Sequence, residues 1–330
     1  MSKKILVAGG GGFIGGELAR VLVSRGHEVV VADIKPLSEW YQLQDKAHNV
    51  SVNLESKEAC YELVKGCDTV YNLACNMGGM GFIEFNRSLC MLSVLINTHL
   101  LMAAKDLGVK EYLYSSSACV YPDYRQGEAD VVALKEEHAY PAMPENGYGW
   151  EKLFSERLCK NFEEDFGFVS KVVRFHNVYG PNGTWDGGRE KAPAAMCRKV
   201  IEAIDTGKHE IEIWGDGEQT RSFMYIDDCI NGLDRVMASD YTDPLNLGRS
   251  ELVTINQLLG MVEEIAGVEL KRSYNLNAPQ GVRGRNSDND LINKVLGWEP
   301  EIDLRTGMEK TYHWIKEQYD RRKAGENVVL

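Results

Sequence analysis

The sequence has no C-x-x-C pair among its eight cysteines, at positions 60, 67, 75, 90, 119, 159, 197 and 229, so neither a zinc site nor a redox dithiol is expected. It also lacks a basic surplus. Its 37 Lys and Arg face 49 Asp and Glu, and a chain with net charge −12 is not built to coat nucleic acid, whose phosphates demand a basic face. Proline is scarce, nine residues against 32 glycines, and no consecutive apolar run nears the ~18 residues of a membrane span. After Lys3 and Lys4 only Ile5 to Ala8 are apolar before glycines intervene, so neither a signal peptide nor an anchor is read there. The expectation is a cytoplasmic protein with reduced thiols, no metal, and no membrane or nucleic-acid partner.

What is present is an average globular composition, 44% hydrophobic and 26% charged over 330 residues, enough for two domains at ~100–200 residues each. Short apolar runs beginning at Ile5, Glu28, Asp68, Glu111 and Lys171 read as buried parallel strands. Between them Gly15–Arg25, Ser56–Lys65, Ile83–Leu107 and Tyr148–Phe166 carry helical spacing. Strands alternating with helices predict an α/β fold, a Rossmann-type doubly wound parallel sheet. From about residue 176 Gly, Asn and Pro-rich loops signal a smaller C-terminal α/β domain. The division expected is 1–175 for the cofactor domain, with 223–247 returning to it through Phe223–Ile226, and 176–222 with 248–330 for the substrate domain.

Glycines 9, 12 and 15 follow the first strand and open a helix, where a tight turn lets backbone approach a pyrophosphate and the helix N-terminus offers N–H donors. Asp33 ends the next strand, where its carboxylate can accept both hydroxyls of an adenosine ribose and would repel a 2′-phosphate, so NAD is favoured over NADP; Lys35 nearby argues the other way. Tyr148 and Lys152 stand four apart, on one helix face, where an ammonium lowers the phenol's pKa so that it can take a proton from an alcohol. Tyr61 and Lys65, Tyr312 and Lys316, and Tyr319 and Lys323 share that spacing. Ser117, at a strand end upstream, separates Tyr148 from these.

The G-x-x-G-x-x-G loop, the turn Asn72-Leu-Ala-Cys75 and the Ser117…Tyr148…Lys152 set resemble the extended short-chain dehydrogenase/reductase superfamily, most of whose members act on nucleotide-sugars. That resemblance implies NAD contacts at Gly9, Gly12, Phe13, Ile14, Gly15, Asp33, Asn53, Leu54, Leu73, Ala74, Cys75, Tyr148 and Lys152. It also implies a homodimer through the Ile83–Leu107 and Leu153–Phe166 helices. Two residues past Ser117, Cys119 is a distinguishing group: a thiol whose pKa is lowered by nearby positive charge can serve as a base toward a carbon acid. Lys191 is the second. Pro193 suits the first turn of a helix, so Lys191 sits at its positive end, where a further positive charge is disfavoured and proton donation is eased.

The blocks Asn76–Phe82, Ser116–Pro122, Arg174–Pro181, Gly187–Ala195, Trp214–Phe223 and Gly281–Asp288 resemble the GDP-mannose 3,5-epimerase family, with Asn53, Cys75 and Asn76 as departures on the cofactor side. The resemblance implies Cys119 and Lys191 as an acid/base pair beside Tyr148, Lys152 and Ser117. It implies substrate contacts at Gly78, Ser117, Ala118, Cys119, Tyr148, Asn177, Glu190, Lys191, Ala192, Lys199, Gln219, Arg221 and Arg285, with Arg221 and Arg285 as forks for the diphosphate. The implied reaction converts GDP-mannose to GDP-L-galactose and the 5-epimer GDP-L-gulose through a transient 4-ketone, with tightly held NAD recycled. A 4-epimerase, an epimerase of another hexose or heptose, and a non-catalytic NAD-sensing module are the alternatives. Arg189, Lys191, Lys199, Arg221, Arg283 and Arg285 are expected to make the site locally basic within an acidic chain.

Overall fold

The computed structural model describes residues 2–330. The chain begins with β1 (Lys4–Ala8), α1 (Phe13–Ser24), β2 (Glu28–Asp33), β3 (His48–Ser51), α2 (Lys57–Val64), β4 (Thr69–Asn72), α3 (Met80–Phe85), α4 (Arg87–Leu92), α5 (Val94–Asp106), β5 (Glu111–Ser117), α6 (Asn146–Phe166) and β6 (Lys171–Phe175). It continues with β7 (Asn177–Tyr179), α7 (Ala192–Thr206), β8 (Glu210–Trp214), β9 (Thr220–Arg221), β10 (Phe223–Tyr225), α8 (Ile226–Ala238), β11 (Leu245–Leu247) and β12 (Val253–Thr254). α9 (Ile255–Ala266), β13 (Lys271–Asn275), β14 (Gly284–Arg285), α10 (Asp290–Leu296) and α11 (Leu304–Lys323) complete it.

Seven parallel strands form the main sheet in the order β11-β6-β5-β4-β1-β2-β3. This is the doubly wound α/β architecture that the sequence predicts. Successive residues of a strand face opposite sides, and here both sides are dry. Ile5, Val7, Val29 and Val31 enter one hydrophobic cluster, while Leu6, Ala8, Val30 and Ala32 enter the other. Strand order reverses between β1 and β4, which opens a crevice at their carboxyl ends.

The expected return of Phe223–Ile226 to this sheet is corrected. β10 pairs with β7 in a separate two-stranded sheet, and the strand that joins the main sheet is β11, beside β6. The polar edge strand β3 carries too little apolar signal to have been read. The long helix expected over Ile83–Leu107 is three helices: it breaks at Asn86, which leaves helical geometry (φ −126°, ψ 39°) and donates its amide back to the Phe82 carbonyl, and again at Ser93. Within it, Arg87–Asp106 is long and apolar enough on average to match a membrane span, although polar Asn97, Thr98 and His99 interrupt its apolar run. In the fold α4 and α5 pack on α2 and α6, leaving Leu89, Met91, Leu92 and Leu95 exposed beside Trp150 and Phe154 of α6.

Candidate active site

The larger of two adjoining cavities, about 940 Å³, runs along the carboxyl ends of β1, β2, β4 and β5. Gly9, Gly12, Phe13, Ile14, Gly15, Asp33, Asn53, Leu54, Leu73, Ala74, Cys75 and Tyr148 all line it. A Cβ on Gly15 would lie 2.3 Å from the Gly9 carbonyl oxygen, so only glycine lets α1 start this close to β1. Gly12 gives α1 no side-chain cap, which leaves the first backbone N–H groups of the helix available to an anion. Asp33 is braced at the end of β2: its two carboxylate oxygens accept from the Gly11 N–H at 3.0 Å and the Lys35 N–H at 3.1 Å. Uncapped donors beside a fixed carboxylate are what a dinucleotide's pyrophosphate and ribose require, so the residues present fit NAD.

The smaller cavity, about 290 Å³, brings together Gly78, Ser117, Ala118, Cys119, Tyr148, Asn177, Glu190, Lys191, Ala192, Lys199, Gln219, Arg221 and Arg285, residues drawn from both halves of the chain. Ser117, Tyr148, His176 and Lys191 border both cavities and so mark their junction. The start of α6 sets the spacing there. Gly149 packs against the Cys119 carbonyl, which a Cβ would approach to 2.2 Å, and the same carbonyl accepts the Glu145 N–H at 3.0 Å. Tyr148 and Cys119 are thereby held by one helix terminus, and the Cys119 N–H donates to the Ser117 hydroxyl at 3.2 Å.

Lys152 lies behind this wall, 1% exposed, with Nζ donating to the Ser115 carbonyl at 3.0 Å and standing 5.5 Å from the Tyr148 ring centre. Burial lowers its proton affinity, but the Cys75 thiol and the Glu151 carboxylate outweigh that and hold the ammonium above its ordinary value. The expectation that Lys152 depresses Tyr148 is corrected for the protein by itself. Burial, with Cys75, Cys119 and Glu151 around it, raises the phenol well above its usual range, against which the Ser117 hydrogen bond acts weakly. The three other Tyr/Lys pairs lie outside both cavities; Lys316 and Lys323, for example, are bound to the carboxylates of Asp320 and Asp205.

The thiol is corrected in the same direction. Burial and the Glu145 carboxylate push Cys119 up, although Arg285 donates to its sulfur at 3.5 Å. The reason is that Arg285 is already committed: it donates to Glu145 at 2.6 Å and to the Gln126 side-chain oxygen at 2.6 Å. Arg285 nonetheless lines the smaller cavity, where the resemblance places it, with its fork shared between Glu145 and Gln126 in the protein by itself. Arg221, by contrast, bonds only to the backbone carbonyls of Thr220 and Gln280, and no carboxylate pairs with it among the described residues. Burial and the charge of Arg285 push it down to about 10, the condition of a buried cation that gains from an anion. Arg283, expected in the site, is outside both cavities and pairs with Asp216 at 2.7 Å.

Lys191 occupies the N-cap position of α7, where Pro193 implies it, and burial, with the charge of Arg285, lowers its ammonium. Lys199 donates to the Glu212 carbonyl at 2.8 Å, Gln219 has its side-chain oxygen buried without a partner, and Asn177 donates to the Ser222 carbonyl. Glu190 is held by Arg198 at 3.0 Å. Sequence reasoning missed Glu145, Gln126 and His176. His176 is buried and its proton affinity falls to about 3, by burial and the nearby Arg285, so it is neutral in working conditions. Only the fold, which brings residue 145 against residue 285, reveals the Glu145 role.

The profile of the NAD dependent epimerase/dehydratase family matches residues 5–248. The chain belongs to that family. Its chemistry is that of an NAD-dependent isomerase. It is similar to GDP-mannose 3,5-epimerase of Arabidopsis thaliana, 45% identical over 99% of this chain and 86% of that one, and to GDP-mannose 3,5-epimerase 1 of Oryza sativa subsp. japonica, 45% identical over 97% and 84%. Among solved structures it resembles UDP-glucose 4-epimerase with UDP-glucose from Thermotoga maritima, with a TM-score of 0.85 and 25% identity over 98% of this chain and 100% of that one. It also resembles UDP-glucuronic acid 4-epimerase from Bacillus cereus in complex with UDP-glucuronic acid and NAD, with a TM-score of 0.81 and 26% identity over 95% and 99%.

Proposed function

We propose that the protein converts GDP-mannose to GDP-L-galactose, with GDP-L-gulose as the 5-epimer, by epimerising C3 and C5 of a transient 4-ketone. One observation carries the reading: the Cys119 thiol and the Lys191 ammonium open into the same small cavity as Tyr148. A 4-epimerase turns its ketone over and needs no second proton-transferring pair. NAD supplies the acceptor, and later the donor, of the C4 hydride. Tyr148 takes the C4 hydroxyl proton and returns it, while Ser117 holds that oxygen. The ketone acidifies C3 and C5 because either carbanion is delocalised as an enolate. Cys119 and Lys191 then exchange protons with those carbons from opposite faces of the ring. Their proton affinities have moved toward each other, thiol up and ammonium down, which suits a pair in which each member must both take and give a proton.

Arg221, partly buried and without a carboxylate partner among the described residues, with Lys199 nearby, is the diphosphate anchor in this reading, while Arg285 serves the thiol. The exposed apolar residues of α4, α5 and α6 support a homodimer through those helices, and the eight free thiols support a reducing, cytoplasmic setting. The decisive experiment is an NMR time course with GDP-mannose in heavy water. Deuterium is expected at C3 and C5 of the recovered sugar nucleotide; its absence from both, with turnover at C4, makes the protein a 4-epimerase. Asp33→Ala tests the cofactor assignment separately. Losing hydrogen bonds to a charged acceptor, worth about 1.5–3 kcal/mol, should weaken NAD by roughly 10–100-fold in calorimetry.

A further inference from the structure

Residues 327–330 lie where no cofactor contact was expected. Past α11, Gly325 (φ 86°) turns the backbone, its N–H donating to the Arg322 carbonyl and the Glu326 N–H donating to the Arg321 carbonyl. The turn brings Asn327, Val328, Val329 and Leu330 onto the wall of the larger cavity. Two anchors hold them there, one from each flank. Trp185, fully buried in the loop after β7, donates its indole N–H to the Val329 carbonyl at 3.0 Å. Tyr41, in the loop after β2, donates its hydroxyl to the Leu330 backbone oxygen. Each anchor is itself fixed. Arg322 stands 4.5 Å from the Trp185 ring centre and pairs with Asp186 at 2.6 Å, while the Tyr41 ring meets Trp314 of α11 edge-on. The same two loops supply the flanks of the cavity, Lys35, Ser38 and Glu39 after β2 and Gly183, Thr184 and Asp186 after β7. They meet beneath the segment, with the Tyr41 and Thr184 hydroxyls 3.2 Å apart. Neither Tyr41 nor Trp185 lines either cavity, so their bonds serve the segment and not a ligand.

We propose that residues 327–330 are a strap that closes the cofactor cavity across those two loops, so that NAD enters and leaves only when the strap lifts. The segment is suited to lifting. Val328 packs against the main hydrophobic cluster, but Asn327 and Leu330 are exposed, so little apolar surface is uncovered on opening. The use of such a strap rests on the proposed function, in which the coenzyme reduced in the first step is the one reoxidised in the last. NADH lost between those steps would strand the sugar as a ketone.

The test is the kinetics of coenzyme exchange. Bound NADH is displaced by excess NAD⁺ and followed by the loss of its fluorescence, and association is followed by the same signal when NADH is added to protein freed of cofactor. Ending the chain after Glu326 should speed release by at least ~10-fold and speed association as well, because a strap obstructs both directions. Tyr41→Phe removes one anchor and no part of the cavity wall. It should move both rates the same way by roughly fivefold, the effect of one ordinary hydrogen bond. Unchanged release in the shortened protein overturns the proposal; where that protein does not fold, unchanged release in Tyr41→Phe does so. Faster release with unchanged association also overturns it, since the segment is then a contact of NAD and not a barrier. No sugar nucleotide enters these measurements, so a failure of the heavy-water experiment is told apart from a failure here.

Discussion

Cys119→Ala should incorporate no deuterium at C3 or C5 while binding NAD as tightly as the parent. Removing a positioned acid/base group costs about 10²–10⁴-fold, and here no neighbouring side chain can take over. Cys75 and Cys90 belong to the same hydrophobic cluster as Cys119, but neither lines the smaller cavity, so a second thiol does not reach the sugar from that side. NAD binding should persist because Cys119 is absent from the residues that line the larger cavity. The variant should still oxidise C4, which Tyr148 and Lys152 support without the thiol. The check is therefore a dissection: cofactor absorbance at 340 nm after adding GDP-mannose, with the isotope content of C3 and C5 in the recovered nucleotide-sugar. Exchange at the parent rate would remove Cys119 from the mechanism. Lys191→Met should lose exchange in the same way, since the pair acts as a unit and neither group completes an epimerisation alone.

The contrast between what the sequence states and what it withholds runs along chemical lines. The glycine loop is legible because each requirement is local: a turn after β1, a helix start, a carboxylate at the end of β2, all within some thirty residues of chain. Strands with two dry faces are legible for the same reason, whereas β3, with one polar edge, is not. Cys119 and Lys191 could be picked out by type and context. Their proton affinities could not, because those depend on Glu145 and Arg285, which lie far apart in the chain and meet only when β14 is placed against the start of α6. The resemblance implies Arg285 as a phosphate fork, and Arg285 does line the smaller cavity. What the chain order could not state is that the fold also pairs it with Glu145, and that Arg221 has no carboxylate partner among the described residues.

Glu145→Gln should produce two large effects at once, one on stability and one on the thiol. The Glu145–Arg285 pair is 5% and 8% exposed, and removing one member of so buried a pair leaves the other uncompensated, which costs about 3–5 kcal/mol. Urea unfolding of the protein without cofactor should show this loss at neutral pH. The sign follows from the carboxylate: Arg285 holds Glu145 below its ordinary value despite burial, so its contribution is present above the usual carboxylate range and fades as pH falls through the lowered value. Parent and variant should therefore converge in stability in strong acid. At the thiol the same substitution removes the carboxylate that raises Cys119 and leaves Arg285 to act on the sulfur alone. Iodoacetamide should then alkylate Cys119 at a lower pH than in the parent, with Cys119→Ala supplying the background from the other seven thiols. If alkylation is unchanged while stability falls, Arg285 does not govern the thiol, and the pair is a structural brace between β14 and α6.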